Sequence, residues 1–251
     1  MSKIKESMLT SEINDSSASI QRIKWLLIAH GISWLTFGII ILLVGDTELA
    51  LLVNPGDSMT ESHPIYIMVK LLSDTFIIWM FFILILTIVV LAVPKLENYQ
   101  RPMLETLYAY IFAGIFIEFL KPVVNRVRPF DALAEINVFG ETTDTGSMPS
   151  GHVGYTGAAV LPHAIRLKRI IIVVVIFLYN AGMMYTRMFL GVHYASDVLV
   201  GNIISLGVST LSFFLFEQIY RKKEINRKHQ WLLFVVGIAL FFISQGILRN
   251  I

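Results

Sequence analysis

The sequence contains no cysteine, which excludes disulfide bonds, thiolate metal ligands and a cysteine nucleophile. Charge is also scarce, because only 15% of the 251 residues are Asp, Glu, Lys or Arg, whereas soluble domains carry roughly 25%. The first 24 residues are polar and lack the apolar stretch of a secretory signal. The charged residues lie in short patches between long uncharged runs, and this distribution is typical of a polytopic membrane protein.

Long apolar runs are the most prominent feature that is present. A helix needs about 20 mainly apolar residues to cross the hydrocarbon layer. Seven segments are candidates: 25–45, 76–93, 103–120, 152–165, 170–188, 193–216 and 231–248. The second could begin near Pro64, with residues 64–75 as an interfacial helix or a tilted extension. The fourth is short but rich in Gly and Ala, which suits close packing inside a bundle. The sequence predicts an all-α integral membrane protein with six core helices and a seventh, C-terminal transmembrane helix.

Lys and Arg are unevenly distributed over the loops, and this asymmetry predicts the orientation in the membrane. Positive charges cluster before the first span and after the second, fourth and sixth spans. These segments fall on one side, which we expect to be cytoplasmic. Residues 1–24 are then a polar, mobile cytoplasmic tail, residues 25–220 the transmembrane domain, and residues 221–251 a basic loop with the additional transmembrane helix.

Three short sequence elements combine cationic side chains with two histidines. The residues concerned are Lys121 and Arg128 in "KPVVNRVRP", Ser150, Gly151 and His152 in "PSGH", and Arg187, His193 and Asp197 in "TRMFLGVHYASD". The first two elements share one predicted external loop. The third element is two membrane crossings further on, so all three are expected at the same membrane face.

The residue types in these elements point to a phosphate-like ligand. Cations at the ends of apolar helices are costly unless an anion neutralises them, and the planar fork of Arg matches phosphate oxygens. Backbone N–H groups of Ser150 and Gly151 at a helix start add an anion site. Neutral imidazole is a nucleophile near physiological pH, and imidazolium is an acid of suitable strength. Asp197 follows His193 by four residues and is placed to orient its ring.

Each element alone also has a structural explanation. Ser150 is a good helix N-cap, Lys121 and Arg128 are suitable interfacial anchors, and a His–Asp pair can be structural inside a bundle. All of these explanations would have to hold at once in three separate segments, so we favour a shared phosphate site. Two further residues are assigned no role in it: Arg126 is expected to snorkel to the interface, and His163 to be structural.

In order and spacing, the three elements resemble the motifs of the type 2 phosphatidic acid phosphatase superfamily, K-x6-R-P, P-S-G-H and S-R-x5-H-x3-D. The resemblance extends over roughly residues 103–216, with Thr186 where the family has Ser. It implies a six-helix phosphatase core bundle without metal or other cofactor. The implied catalytic residues are His193 as nucleophile, His152 as acid and base, and Asp197 as the residue that orients His193. The implied phosphate ligands are Lys121, Arg128, Ser150, Gly151 and Arg187.

The predicted spans favour the membrane branch of this superfamily, which acts on lipid phosphates, over its soluble acid phosphatases and vanadium haloperoxidases. We therefore expect a metal-independent membrane lipid phosphatase with a phosphohistidine intermediate and an active site on the outer face. Undecaprenyl diphosphate is the leading substrate if the source is bacterial, with phosphatidylglycerol phosphate and phosphatidic acid as alternatives. A phosphotransferase and a non-hydrolytic transporter of anionic lipids are left open. The expected partners are the lipid substrate and the bilayer, with no nucleic acid, and the oligomeric state is not readable.

Overall fold

The computed structural model describes residues 2–139, 146–166, 169–222 and 225–248. Within these ranges the regular structure is entirely helical, so the predicted all-α fold is confirmed. The α-helices are α1 (Ser2–Val44), α2 (Asp46–Val53), α3 (Pro64–Ala92), α4 (Glu97–Val124), α5 (Pro129–Ala132), α6 (Gly151–Arg166), α7 (Ile170–Phe189), α8 (Ala195–Lys222) and α9 (Arg227–Leu248).

Six of these helices are long and apolar enough to cross a membrane, namely α1, α3, α4, α7, α8 and α9. They correspond to every predicted span except the fourth, and they include the predicted C-terminal helix. The fourth predicted span is α6, which has only 16 residues, or about 24 Å. The protein is therefore a multi-pass membrane protein in which α6 is the short central member of the bundle.

Helix α1 differs from the prediction at its N-terminal end. Residues 1–24 are expected to form a mobile tail, but the helix is continuous over Ser2–Val44. The first 30 residues contain neither proline nor glycine, so nothing in the sequence interrupts the helix. Its residue Ile23 packs against Ile165 of α6, and Nε of Arg22 donates to the Ile165 carbonyl at 2.7 Å. The last part of the predicted tail therefore belongs to the packed bundle.

Helix α3 resolves the boundary that the sequence leaves open. It is one helix of 29 residues, Pro64–Ala92, and its length of about 44 Å exceeds the hydrocarbon thickness of about 30 Å. Residues 64–75 are therefore a direct extension of the second span and not a separate interfacial helix. Proline at the first helical position and His63, which accepts a hydrogen bond from the Ile65 N–H at 3.2 Å, define its start.

The centre of the bundle is formed by α4, α6 and α8. Small residues on α6 allow this close approach, as the sequence predicts. A Cβ atom on Gly157 would lie 2.5 Å from Cβ of Ser205 on α8, and one on Gly154 would lie 2.5 Å from Cδ1 of Ile117 on α4. An added Cβ at Gly157 would therefore force α6 and α8 apart, whereas one at Gly154 would require a shift of the Ile117 side chain. Helix α6 is thus held closely between the two longer helices.

A buried ion network joins the same three helices at one end of the bundle. The Glu105 side chain is only 1% exposed and accepts hydrogen bonds from Nε of Arg101 at 3.0 Å and from Nε of Arg166 at 2.9 Å. Glu217 of α8 pairs with both arginines. This network fixes the register of α4, α6 and α8 at the end of the bundle opposite to the three sequence elements.

Candidate active site

The three sequence elements meet at one end of the bundle. Lys121 lies in the last turn of α4 and Arg187 in the last turn of α7. His152 lies in the first turn of α6, Asp197 lies in the first turn of α8, and His193 lies two residues before the start of α8. The fold thus brings together helix ends that are separated by up to 76 residues in the sequence.

Backbone contacts connect the elements directly. The Ser150 N–H of the second element donates to the Asp197 carbonyl of the third at 3.0 Å, and the Ser147 N–H donates to the Arg126 carbonyl of the first at 2.8 Å. A Cβ atom on Gly201 of α8 would lie 2.7 Å from the Ser150 carbonyl oxygen. The turn that carries Ser150 is therefore seated tightly on α8, and its position depends on that helix.

The two histidines share one buried pocket with the cations. The His193 side chain is 3% exposed. Its imidazole and the charged groups of Arg187, Lys121 and Arg128 all lie close enough to act electrostatically on His152. The structure therefore brings the five side chains that the sequence singles out as acid, nucleophile and cations into a single pocket.

Two arginines are fixed in this pocket by hydrogen bonds that sequence reasoning does not reveal. Nη1 of Arg187 donates to Oγ of Ser73 on α3 at 2.6 Å, and Nη1 of Arg128 donates to the Val192 carbonyl at 3.1 Å. Helix α3 also contributes Phe76, whose ring centroid lies 4.4 Å from that of His152. The N-terminal half of α3 is thus a wall of the pocket, although none of its residues belongs to a motif.

The pocket retains hydrogen-bonding capacity suited to an anion. Among the residues that the structure describes, Oγ of Ser150 and Nε of Arg187 are buried without a hydrogen-bond partner, which is rare for buried polar groups. Nζ of Lys121 lies 3.9 Å from the position a Cβ would take on Gly151, at the start of α6. A hydroxyl, a guanidinium, an ammonium and a helix N-terminus are the groups that bind phosphate oxygens in proteins.

Asp197 lies directly behind His193. Its Oδ2 is 3.6 Å from Nδ1 of His193, slightly longer than a hydrogen bond, and catalytic hydrogen bonds often have this length before substrate binds. The Tyr194 N–H donates to the same oxygen at 2.8 Å and holds the carboxylate in place. Nδ1 thus faces Asp197, which leaves Nε2 as the ring nitrogen available for a ligand.

Burial also sets the protonation of His193, which lies in the loop between α7 and α8. Removal from water lowers the pKa of His193 to about 4, and the nearby Asp197 carboxylate acts in the opposite direction. The imidazole is therefore neutral at physiological pH, which is the form that attacks an electrophile.

Sequence reasoning missed Arg126 and Asp46. The expectation that Arg126 snorkels to the interface is wrong, because its Nη1 donates to Oδ1 of Asp197 at 2.8 Å and its Nη2 to Oδ2 of Asp46 at 2.7 Å. The position of Arg126 between Lys121 and Arg128 is a signal that could have been used. Asp46 lies in a different part of the sequence, and nothing local to it indicates this contact.

The departure at Thr186 has a local explanation. Its hydroxyl donates to the Met183 carbonyl of the same helix at 2.8 Å, and the residue is fully buried. The hydroxyl is therefore used within α7, one residue before Arg187.

The connection between the first two elements packs against the third. Nδ2 of Asn54 donates to the carbonyls of Asn137 at 2.8 Å and of Phe189 at 2.9 Å, and the Phe139 N–H donates to the Leu190 carbonyl at 3.2 Å. The described part of the 131–145 loop is therefore a packed rim beside the third element. Residues 140–145 lie outside the described residues.

Together, the fold and the site define a helical membrane protein with a two-histidine, cation-lined pocket at one end of its bundle. Residues 102–221 match the PAP2 superfamily. This match, which covers slightly less than half of the chain, confirms the resemblance drawn from the three motifs.

Relatives and one solved structure are consistent with this assignment. The chain is 32% identical over 96 residues to the lipid A 1-phosphatase of Rhizobium etli, covering 36% of this chain and 40% of that protein. It is 29% identical over 114 residues to the lipid A 1-phosphatase of Rhizobium johnstonii, covering 43% and 46%. The chain thus spans less than half the length of these curated relatives.

The fold itself is similar to that of a solved structure, a transmembrane PAP2-type phosphatidylglycerolphosphate phosphatase from Bacillus subtilis. The TM-score is 0.51 at 18% sequence identity, covering 79% of this chain and 98% of the solved one. At this level of identity the similarity concerns the fold alone, and it extends well beyond the residues of the motifs.

Proposed function

We propose that the protein is a membrane lipid phosphatase that removes a terminal phosphate from a lipid phosphate or diphosphate. The observation that carries this proposal is the buried pocket in which His152 and His193 lie among three cations, with Asp197 behind His193. A site that only binds anions has no need of two histidines, one of them oriented by a carboxylate. The PAP2 superfamily domain and the apolar helices support a lipid substrate.

In the first step, Nε2 of His193 attacks phosphorus and forms an N–P bond as the P–O bond to the lipid breaks. His152, in its imidazolium form, transfers a proton to the departing oxygen, so the lipid leaves as a neutral alcohol or, from a diphosphate, as a protonated phosphate. Asp197 accepts the hydrogen bond of Nδ1–H and stabilises the positive charge that develops on the His193 ring. The product of this step is a phosphohistidine with a neutral His152.

In the second step, water attacks the phosphohistidine. The neutral His152 takes the proton of this water, the N–P bond breaks, and inorganic phosphate leaves with the imidazole of His193 restored. Arg187, Arg128 and Lys121 stabilise the charge on the equatorial phosphate oxygens in both steps, and the Ser150 hydroxyl and the first N–H groups of α6 add further donors. The chemistry proposed here uses no metal ion.

Substrate and orientation are part of the proposal. Undecaprenyl diphosphate is our leading candidate, and phosphatidylglycerol phosphate and phosphatidic acid are the alternatives. The names of the two curated relatives add the 1-phosphate of lipid A. Arg101, Arg166 and Arg169 lie at the end of the bundle opposite to the pocket. By the positive-inside rule this end is cytoplasmic, and the pocket opens on the outer face at headgroup depth.

The test is phosphate release from these four lipids in detergent micelles with EDTA present. We expect release from at least one lipid by the unchanged protein and loss of more than about 10³-fold in the His193→Ala variant. His163 is the matched control, because it is a second histidine on α6 whose Nε2 lies 3.4 Å from Oγ1 of Thr106, towards the other end of the bundle. His163→Ala is expected to retain activity.

Three results would contradict the proposal. Release that survives His193→Ala excludes this nucleophile, and release that requires an added metal excludes the metal-free chemistry. Binding of lipid phosphates without any release identifies a transporter or binding protein. Transfer of the phosphate to an added alcohol, followed by product analysis, separates a phosphotransferase from a hydrolase.

A further inference from the structure

We propose that Arg126 and Asp46 are positioning residues that hold the Asp197 carboxylate behind His193. The inference rests on the proposed function, because it gives both residues a role in the same displacement at phosphorus. Arg126 lies in the unspecified stretch between Lys121 and the Arg of the first motif, and Asp46 begins α2, outside all three motifs.

Both terminal nitrogens of the Arg126 guanidinium donate to protein groups. Nη1 donates to Oδ1 of Asp197 at 2.8 Å and to Oγ of Ser196 at 2.5 Å, and Nη2 donates to Oδ2 of Asp46 at 2.7 Å. One face of the group lies 3.9 Å from the ring centroid of Tyr194. This arrangement differs from that of Arg187, whose Nε has no partner among the described residues. We therefore assign Arg126 to the orientation of Asp197, whereas Nε of Arg187 can donate to a bound anion.

Asp46 fixes the other side of this arrangement. Its Oδ1 accepts the Ser196 N–H at 3.0 Å, and its Oδ2 accepts the Ser196 hydroxyl at 2.5 Å. These contacts supply an acceptor to a free N–H in the first turn of α8, where a negative charge is also favoured by the helix dipole. Asp197 is the next residue in that turn. Asp46 therefore fixes the start of α8 and also holds the guanidinium of Arg126, which donates to Asp197.

Charge balance explains why Asp197 needs Arg126. The Asp197 side chain is 0% exposed, and a buried carboxylate is costly unless a cation compensates it. His193 is neutral before the reaction, so it supplies no positive charge, whereas Arg126 is a cation that contacts Asp197 directly. Without Arg126, the carboxylate would take up a proton or rotate away, and either change ends its hold on Nδ1 of His193.

The experiment measures kcat and KM for phosphate release from the most rapidly hydrolysed lipid of the panel, with the full chain in detergent. Arg126→Gln is expected to lower kcat about 10- to 100-fold, as a small misplacement of a reacting group does, with KM unchanged within about threefold. Asp46→Asn is expected to lower kcat in the same way but less. Arg126→Lys should recover part of the loss, since an ammonium can still pair with one carboxylate.

Arg101→Gln is the matched control, because Arg101 has a similar exposure, 23% against 29% for Arg126, and pairs with carboxylates at the other end of the bundle. It is expected to keep the kcat of the unchanged protein. A second set of variants keeps the test independent of folding. When Asp197→Asn is already present, adding Arg126→Gln should lower kcat by a further factor of less than about three, because the effects of residues that act as one unit are not additive.

Each other outcome overturns a defined part of the account. Additive losses, or a rise in KM with kcat unchanged, overturn the positioning role, and the second result would make Arg126 a direct ligand of the lipid phosphate. If Arg101→Gln lowers kcat as much as Arg126→Gln does, the loss reflects a less stable protein and not the positioning of Asp197. If phosphate release requires His193 but the Arg126→Gln variant keeps the kcat of the unchanged protein, this inference is overturned and the proposed function is not. No release from any lipid by the unchanged protein overturns the proposed function and, with it, the positioning role.

Discussion

Nδ1 of His193 lies 3.6 Å from Oδ2 of Asp197, and the Tyr194 N–H and Arg126 hold the two oxygens of that carboxylate. A carboxylate held in this way selects the tautomer that presents Nε2 to the pocket. Asp197→Asn keeps the shape but allows the amide to donate to Nδ1, which favours the wrong tautomer. We expect kcat to fall about 10²- to 10⁴-fold with a much smaller change in KM.

The control for this prediction lies on the same helix. Asn202 of α8 is also buried, but its Oδ1 accepts a hydrogen bond from Nε1 of Trp34 at 2.8 Å and it makes no contact with His193 among those the structure describes. Asn202→Ala is expected to keep kcat within a few fold. An equal loss of kcat in both variants would attribute the effect to disruption of α8.

The buried, neutral state of His193 predicts a pH dependence of stability. Its pKa is about 4 in the folded protein, lowered mainly by burial, against about 6.5 when unfolded. As pH falls through this window, the unfolded chain binds a proton that the folded chain does not, so folded stability is lost. Between pH 7 and pH 5, the Tm of the unchanged protein should therefore fall more steeply than that of His193→Gln, as measured by thermal unfolding in detergent. Parallel curves would show that His193 does not titrate in this way.

The contact between Gly201 and the Ser150 carbonyl predicts that a single methyl group impairs the site. Gly201→Ala would place Cβ 2.7 Å from this backbone oxygen, so the turn that carries Ser150 and His152 must move. A displacement of this kind is expected to lower kcat/KM roughly 10- to 100-fold. Gly207→Ala on the same helix is the control, because a Cβ there meets nothing within 4 Å. Equal phosphate-release rates for the two variants would contradict the prediction.

The ion network at the other end of the bundle predicts a loss of stability rather than of chemistry. Glu105→Ala leaves Arg101 and Arg166 without their shared, buried carboxylate, a change that costs about 3–5 kcal/mol, or roughly 6–20 °C in Tm for a chain of this size. Asp74→Asn breaks the exposed pair with Lys70, whose side chains are 37% and 46% exposed, and should cost about 0–1 kcal/mol. Similar Tm values for the two variants in detergent would contradict the assigned role of Glu105.

The sequence was sufficient to predict most of the long helices and the motif residues that the structure brings together at one end of the bundle. Apolar runs locate α3, α4, α7, α8 and α9 because a helix that crosses the membrane needs a long run of apolar side chains, and such a run is visible in the sequence. The motifs locate His152 and His193 because each histidine lies near a helix end beside characteristic neighbours. The helical start of α1 was not predicted, since polar composition says little about whether a chain is helical when no breaker is present.

The contacts between distant segments could not be predicted. Ser73 and Phe76 lie within an apolar helix, and the hydropathy pattern does not show which side of that helix faces the pocket. Asp46 reaches Arg126 only because α2 lies over the start of α8, and a carboxylate in an acidic loop gives no local sign of such a contact. Residues of this kind become visible once the helices are packed.

The central claim is that His193 becomes phosphorylated during turnover, and trapping the covalent intermediate tests it most directly. The full chain is mixed with its best lipid substrate, quenched with base within milliseconds, and analysed by peptide mass spectrometry. The account predicts an acid-labile phosphate on His193 of the unchanged protein and none in the His193→Ala variant. Phosphate release without any such intermediate, or a phosphate carried by another residue, would contradict it.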